Sequence, residues 1–117
     1  MLAVMAGTTT LELPRHASCA GIARMIVSAH GSDLAADRLK NARLLVSELV
    51  TNAFEHGRGR IRLTVDSDAR GIRAQVDDEG SMAKTESSGY GLRFLAKLAD
   101  DWGVERGPSR VWFTVAS

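Results

Sequence analysis

The sequence has a single cysteine, Cys19, only two prolines, and few aromatic residues, at 5% of the chain. One thiol cannot close an internal disulfide and by itself makes no metal site. With apolar neighbours it reads as a small buried filler in a reducing compartment. No apolar run approaches the roughly 20 residues that cross a bilayer. The opening "MLAVMAGTTT" lacks the basic segment of a secretory signal. A cytoplasmic protein without membrane association is therefore expected. Runs of like charge are also missing: 15 Lys and Arg stand against 14 Asp and Glu, for a net charge of +1. That balance gives no electrostatic footprint for direct nucleic-acid binding. Neither an internal repeat nor a low-complexity linker interrupts the chain. What remains is 117 residues, 44% hydrophobic and 25% charged. This suffices for one domain, 1–117, around one core.

Hydrophobic periodicity divides the chain into eight segments. "TTTLELP" alternates as a strand and Pro14 stops it. Residues 15 to about 29 have helical spacing, with Ala20, Ala23, Ile26 and Val27 on one side and His30-Gly31 as the stop. Ser32 or Asp33 is expected to cap a second helix from about Leu34 to His56. Its apolar stripe includes Leu39, Ala42, Leu45, Val46, Leu49, Val50 and Ala53. "RIRLTVD" and "IRAQVDD" alternate on either side of the turn "SDARG" and predict an antiparallel hairpin. After a Gly- and Ser-containing loop over residues 79–91, helical spacing returns until about residue 101. "WGVE" and "RVWFTVA" then form a last hairpin across "RGPS". The order β-α-α-β-β-α-β-β predicts an α+β fold, a two-layer α/β sandwich with helices on one side. A parallel nucleotide-binding sheet is disfavoured because it needs a crossover helix between successive strands.

Three stretches carry more than packing. In "SELVTNAFEHG" a helix keeps Glu48, Asn52, Glu55 and His56 close together. At about 100° per residue, Asn52 falls about 40° from Glu48, on the rim of the apolar stripe. So placed, a carboxylate and an amide can share a hydrated cation, and the carboxylate can accept a proton. The bland reading is a solvated helix edge. In "VDDEGSM" a strand runs into Asp78, which can accept a hydrogen bond from an exocyclic amine, and Gly80 lets a flat ring approach the backbone. The bland reading is a polar strand end with a turn. In "SSGYGLR", Gly89 and Gly91 open a helix whose N-terminal N–H groups suit an anion, with Arg93 as an additional cation. The bland reading is an ordinary glycine-started helix. It is neither a dinucleotide fingerprint nor a Walker A loop. Taken together, the three supply a cation ligand and base, an amine acceptor and a phosphate cradle. Those are the parts of an adenine nucleotide–magnesium site.

The order "ELVTNAFEHG", "DDEG", "GYGLR" resembles the N, G1 and G2 boxes of the ATPase superfamily shared by gyrase, Hsp90, histidine kinases and MutL. Within it the likeness is closest to the RsbW-type anti-sigma-factor serine/threonine kinases. It covers nearly the whole chain, from "LELP" through "LLVSELVTNAFEHG" to "LADDWGVERGPSRVWFTVA". The resemblance implies the Bergerat-type sandwich of that superfamily, with a mixed, mostly antiparallel sheet. It also implies ATP and Mg2+ as cofactors. Residue by residue, Asn52 resembles the magnesium-coordinating asparagine and Glu48 the carboxylate proposed as general base. Asp78 resembles the reader of the adenine amino group, Gly80 the glycine beneath the base, and Gly89 and Gly91 the phosphate-facing glycines. Ser109 lies near a family threonine close to adenine, and His56 is read as structural. Two positions depart from the pattern. Met82 stands where the family has a second glycine, and the lid segment "SMAKTESS", which includes Lys84, is short.

The implied function is an ATP-binding anti-sigma factor that phosphorylates a serine of a STAS-domain antagonist and sequesters a sigma factor, with a homodimer expected. The alternative, favoured by Met82 and the short lid, is a nucleotide-binding interaction module with little or no kinase activity. A detached sensor-kinase catalytic domain fits less well, because no dimerisation and phosphoacceptor helix precedes the domain and "SELVTNA" favours the anti-sigma branch.

Overall fold

The computed structural model describes residues 7–80, 90–105 and 108–117, without the side chains of residues 90–93. Its elements are β1 (Gly7–Leu13), α1 (Cys19–His30), α2 (Ala36–His56), β2 (Ile61–Asp68), β3 (Gly71–Asp77), α3 (Tyr90–Leu98), β4 (Asp101–Glu105) and β5 (Arg110–Ala116). The strands form one five-stranded sheet in the order β1-β2-β3-β5-β4, and each neighbouring pair is antiparallel.

Alternation decides which face of this sheet is covered. Ile61, Leu63 and Val65 of β2, Ile72, Ala74 and Val76 of β3, and Val111, Phe113 and Val115 of β5 are all buried. The helices supply the opposing side chains: Cys19, Ala23 and Val27 from α1, Leu95 from α3, and the stripe Ala42, Leu45, Val46, Leu49, Val50 and Ala53 from α2. The α2 helix packs against both α1 and α3. Each fully buried Leu, Ile, Val or Phe contributes on the order of 1.5–3 kcal/mol, so the α2 stripe is held firmly to the sheet. The other face is a polar grid set by register. One row reads Glu12, Arg62, Asp77, Arg110 and Glu105, alternating in sign across the five strands. Arg110 donates from Nε to Asp77 Oδ1 at 2.6 Å, and Arg73 lies 4.9 Å from the centroid of the Trp112 ring. One covered face and one solvated face are what the strand alternation predicted.

Two helix starts differ from expectation. Helix α1 begins at Cys19 rather than at residue 15, because a turn precedes it: His16 N donates to Pro14 O at 2.9 Å and Cys19 N to His16 O at 3.0 Å. Ser32 and Asp33 do not cap α2, whose N-cap is Ala35 with no side-chain bond. The competing term is apolar packing. Leu34 N closes a turn onto Gly31 O, and Leu34 and Leu39 crowd over Gly31, whose added Cβ would lie 2.9 Å from Leu39 Cδ1. Settling Leu34 against the core leaves Ser32 and Asp33 exposed, short of the helix. Helix α3 also ends earlier than expected, at Leu98, because Asp100 already belongs to the sheet margin. Its N–H donates to Thr114 O at 2.9 Å and its Oδ2 accepts from Ala116 N at 2.7 Å.

Candidate nucleotide site

Strand β3 delivers Asp78 to its C-terminal end, where two backbone ties fix the turn that follows. Asp78 N donates to Ser109 O and Ser109 N donates to Gly80 O, both at 3.0 Å. Glu79 N donates to Arg58 O at 2.8 Å, and Glu79 Oε2 accepts from Arg60 N at 2.5 Å. Residues 78–80 are thus clamped between the segment after α2 and the start of β5. Within the clamp Asp78 is 8% exposed, and its Oδ1 accepts from Gly80 N at 2.6 Å. Arg58 N lies at 3.5 Å from the same oxygen, the outer limit of a bond. Among the described residues this carboxylate is held by backbone N–H groups and not by a cation.

The end of α2 is shaped around the same carboxylate. A Cβ on Gly57 would lie 2.6 Å from Asp78 Oδ2 and 2.6 Å from Ala53 O. One on Gly80 would lie 3.0 Å from Asp78 Oδ1. Gly57 is extended at φ −84°, a conformation open to any residue, so the need for glycine is spatial. Arg15 fastens this corner from outside, donating to Phe54 O at 2.8 Å and to Gly59 O at 3.0 Å. The sequence marked Asp78 and Gly80. It missed the spatial role of Gly57 and the anchoring by Arg15. A glycine after a helix reads first as a stop, and a lone arginine beside a proline carries no pattern.

Asn52 directly precedes Ala53 on α2. Its Nδ2 is buried and has no hydrogen-bond partner among the described residues. An orphaned buried donor costs about 1–3 kcal/mol, so an amide kept there needs an explanation. Glu48, one turn earlier on the same rim, is half-buried. Glu55 and His56 are exposed and 3.9 Å apart, turned away from the core. Met82, Lys84 and Gly89 lie outside the described residues, as does the Arg93 side chain. Gly91 falls in the first turn of α3. Ser109 is buried beside Asp78 through the backbone pairing above.

The structure therefore joins Asp78 and Gly80 to the C-terminal end of α2 at Gly57, with Asn52 just before the last turn of that helix and Glu48 one turn further back. Neither of two surface cavities formed by described residues belongs to this corner. A depression of about 500 Å³ runs over the opposite end of the sheet, past Asp66, Arg73 and Thr114. A groove of about 540 Å³ lies on the helical layer. No three His, Cys, Asp or Glu among the described residues gather to hold a metal. Magnesium rarely uses such a cage; it takes one or two protein oxygens and substrate phosphates. The Asn52 carboxamide, whose buried Nδ2 has no partner among the described residues, fits that role with Glu48 one turn earlier on α2. Its two polar atoms exchange places by a half-turn of the amide.

His30, which carried no functional signal in the sequence, is a buried strut. Its ring nitrogens lie 2.7 Å from Thr9 Oγ1 and 2.7 Å from Ser67 Oγ, tying the end of α1 to β1 and β2. Burial lowers its pKa from the ordinary histidine value, partly offset by Asp66.

The fold has a solved counterpart in the structure of the RsbU and RsbW domains of Rv1364c from Mycobacterium tuberculosis. The TM-score is 0.69 at 18% identity, over 93% of this chain and 31% of that one. At that identity the likeness shows the fold alone, an α+β sandwich. The chain spans less than a third of that protein. No curated protein matches the sequence. The family model described as "Histidine kinase-like ATPase domain" matches residues 14–115, which include α2, Asn52 and the Asp78 turn. The chain belongs to the histidine kinase-like ATPase domain family.

Proposed function

We propose that the chain binds Mg-ATP at the corner between α2 and the end of β3. We further propose that it passes the γ-phosphate to a serine of a STAS-domain antagonist, and that it holds a sigma factor or similar regulator inactive. The observation that carries this reading is the Asp78 carboxylate, seated between Gly57 and Gly80 at the end of α2, the helix that bears Asn52, whose buried Nδ2 has no partner among the described residues.

With Oδ1 engaged by Gly80 N, Asp78 has Oδ2 to accept from the adenine amino group. Gly80 leaves room for the ring. The Asn52 carboxamide oxygen would hold magnesium, with Gly89, Gly91 and Arg93 assigned to the phosphates. Magnesium, when bound, offsets the charge that develops on the phosphates during transfer. Glu48 takes the proton of the acceptor serine. A bond forms between serine Oγ and the γ-phosphorus, the bond from that phosphorus to the β–γ bridging oxygen breaks, and ADP leaves. A homodimer fits the same reading. Met82 at the second G1 glycine position and the short segment after Gly80 favour the second reading, a nucleotide-binding module with little kinase activity.

Radiolabelled ATP, magnesium and a STAS-domain protein encoded near this chain separate the two. Transfer of label to the antagonist, reduced at least about 100-fold by Glu48→Gln, supports the kinase. Saturable ATP binding without transfer supports the module, and absence of both overturns the nucleotide reading.

A further inference from the structure

The groove on the helical layer is not used by the nucleotide reading. Its walls are Leu39 and Leu44 of α2 and Leu98 of α3, with Arg24 of α1 and Lys40 and Arg43 of α2 also lining it. Leu44 is 38% exposed, and Met25, beside Arg24, is 71% exposed. An apolar strip bordered by cations is complementary to an amphipathic segment with an acidic flank.

Two of the three cations of this groove are held in place, and none of the three pairs with an acidic side chain among the described residues. Arg24 donates to Ser47 Oγ at 2.6 Å, and Arg43 donates to Ser28 Oγ. Serine hydroxyls orient these guanidiniums and leave their charge intact. Arg38 on the same helix differs, since it pairs with Asp100 at 3.3 Å. Among the described residues no Asp or Glu lines the groove. Asp37 and Glu48, one turn before Lys40 and one turn after Leu44, are not among its walls. The groove follows α2 from Ala36 to Ser47, a length of about 17 Å at 1.5 Å per residue. That is about three turns of a second helix.

We propose that this groove docks an amphipathic helix of a protein partner. Its apolar side chains rest on Leu39, Leu44 and Leu98, and a row of Asp and Glu faces Arg24, Lys40 and Arg43. The mode is helix in groove, with the acidic row setting register and orientation. It is independent of ATP, because neither Asn52 nor Asp78 touches the groove.

A fluorescein-labelled synthetic peptide of about 18 residues, with helical Leu spacing and a Glu-rich flank, tests this against the full chain. Its controls are a Lys-flanked version and a scrambled version. The expected result is saturable binding of the Glu peptide alone, weaker in high salt, with 15N amide shifts on the facing sides of α1, α2 and α3. The double variant Lys40→Glu/Arg43→Glu should weaken binding on the order of tenfold, and Leu44→Ala should weaken it less. Circular dichroism and ATP binding should be unchanged in both variants. Absent saturable binding, equal binding of a control peptide, shifts mapped elsewhere, or dodecanoate filling the groove in place of the peptide would each overturn the proposal.

Discussion

Asp78 owes its position to what Gly57 and Gly80 lack. A methyl at residue 57 would press on both the carboxylate and the Ala53 carbonyl, and the carbonyl belongs to helix backbone that cannot retreat. Gly57→Ala should therefore destabilise the fold by about 1–3 kcal/mol, read by urea denaturation, and weaken ATP binding as well. This role was not legible, because the contact joins residues 57 and 78 and no local pattern signals it. Asp78 itself was legible, since a strand running into Asp-Asp-x-Gly is a local arrangement. His30 was missed for the same reason as Gly57: its partners, Thr9 and Ser67, lie on two strands far away in sequence. It makes a pH prediction. Its folded pKa lies below the unfolded value, so the unfolded chain takes up the proton first. The contribution of neutral His30 to stability is full above the unfolded pKa near 6.5. It is lost as pH falls from there toward the lower folded value. Urea midpoints should fall between pH 7.5 and 5.5, and His30→Gln should flatten that dependence.

At the scale of elements, period was a better guide than punctuation. Strands β2, β3 and β5 fell where apolar residues alternate, and the register confirms which face each side chain takes. The long stripe of α2 was equally plain. Starts and stops were not, because they are settled by neighbours. Leu34 packing displaced the expected cap at Ser32 or Asp33, and Asp100 joining the sheet margin shortened α3. The β2–β3 turn shows how narrow such junctions are. Gly71 has φ +144°, and a Cβ there would sit 2.3 Å from the Val115 carbonyl oxygen. Both the dihedral and the neighbouring strand oppose a side chain, so Gly71→Ala should cost about 2 kcal/mol or more in chemical denaturation. ATP affinity should remain once the variant is folded, because this turn lies at the opposite end of β3 from Asp78.

For the molecule as a whole, one sheet face carries the helices and the other is a solvated polar grid. Specific chemistry is thereby left to the helical layer and the strand ends. Asn52 and Asp78 lie on different elements, and nothing in their spacing says that they meet. The likeness of "SELVTNAFEHG" and "DDEG" to family boxes implied that they share a site; what the structure shows is residues 78–80 clamped against the segment that follows α2. The same layering keeps the α2 groove apart from the corner at Asp78, so the partner and the nucleotide proposed for them would not compete. Calorimetric titration of Mg-ATP into the chain and into Asp78→Asn tests the central claim most directly. The substitution keeps the size of the side chain. Gly80 N would hold the new amide oxygen, turning its NH2 toward the adenine amino group, donor against donor. A single saturable site weakened about 10- to 100-fold in a variant with unchanged thermal stability is the predicted result. Equal affinity in the two proteins would contradict it.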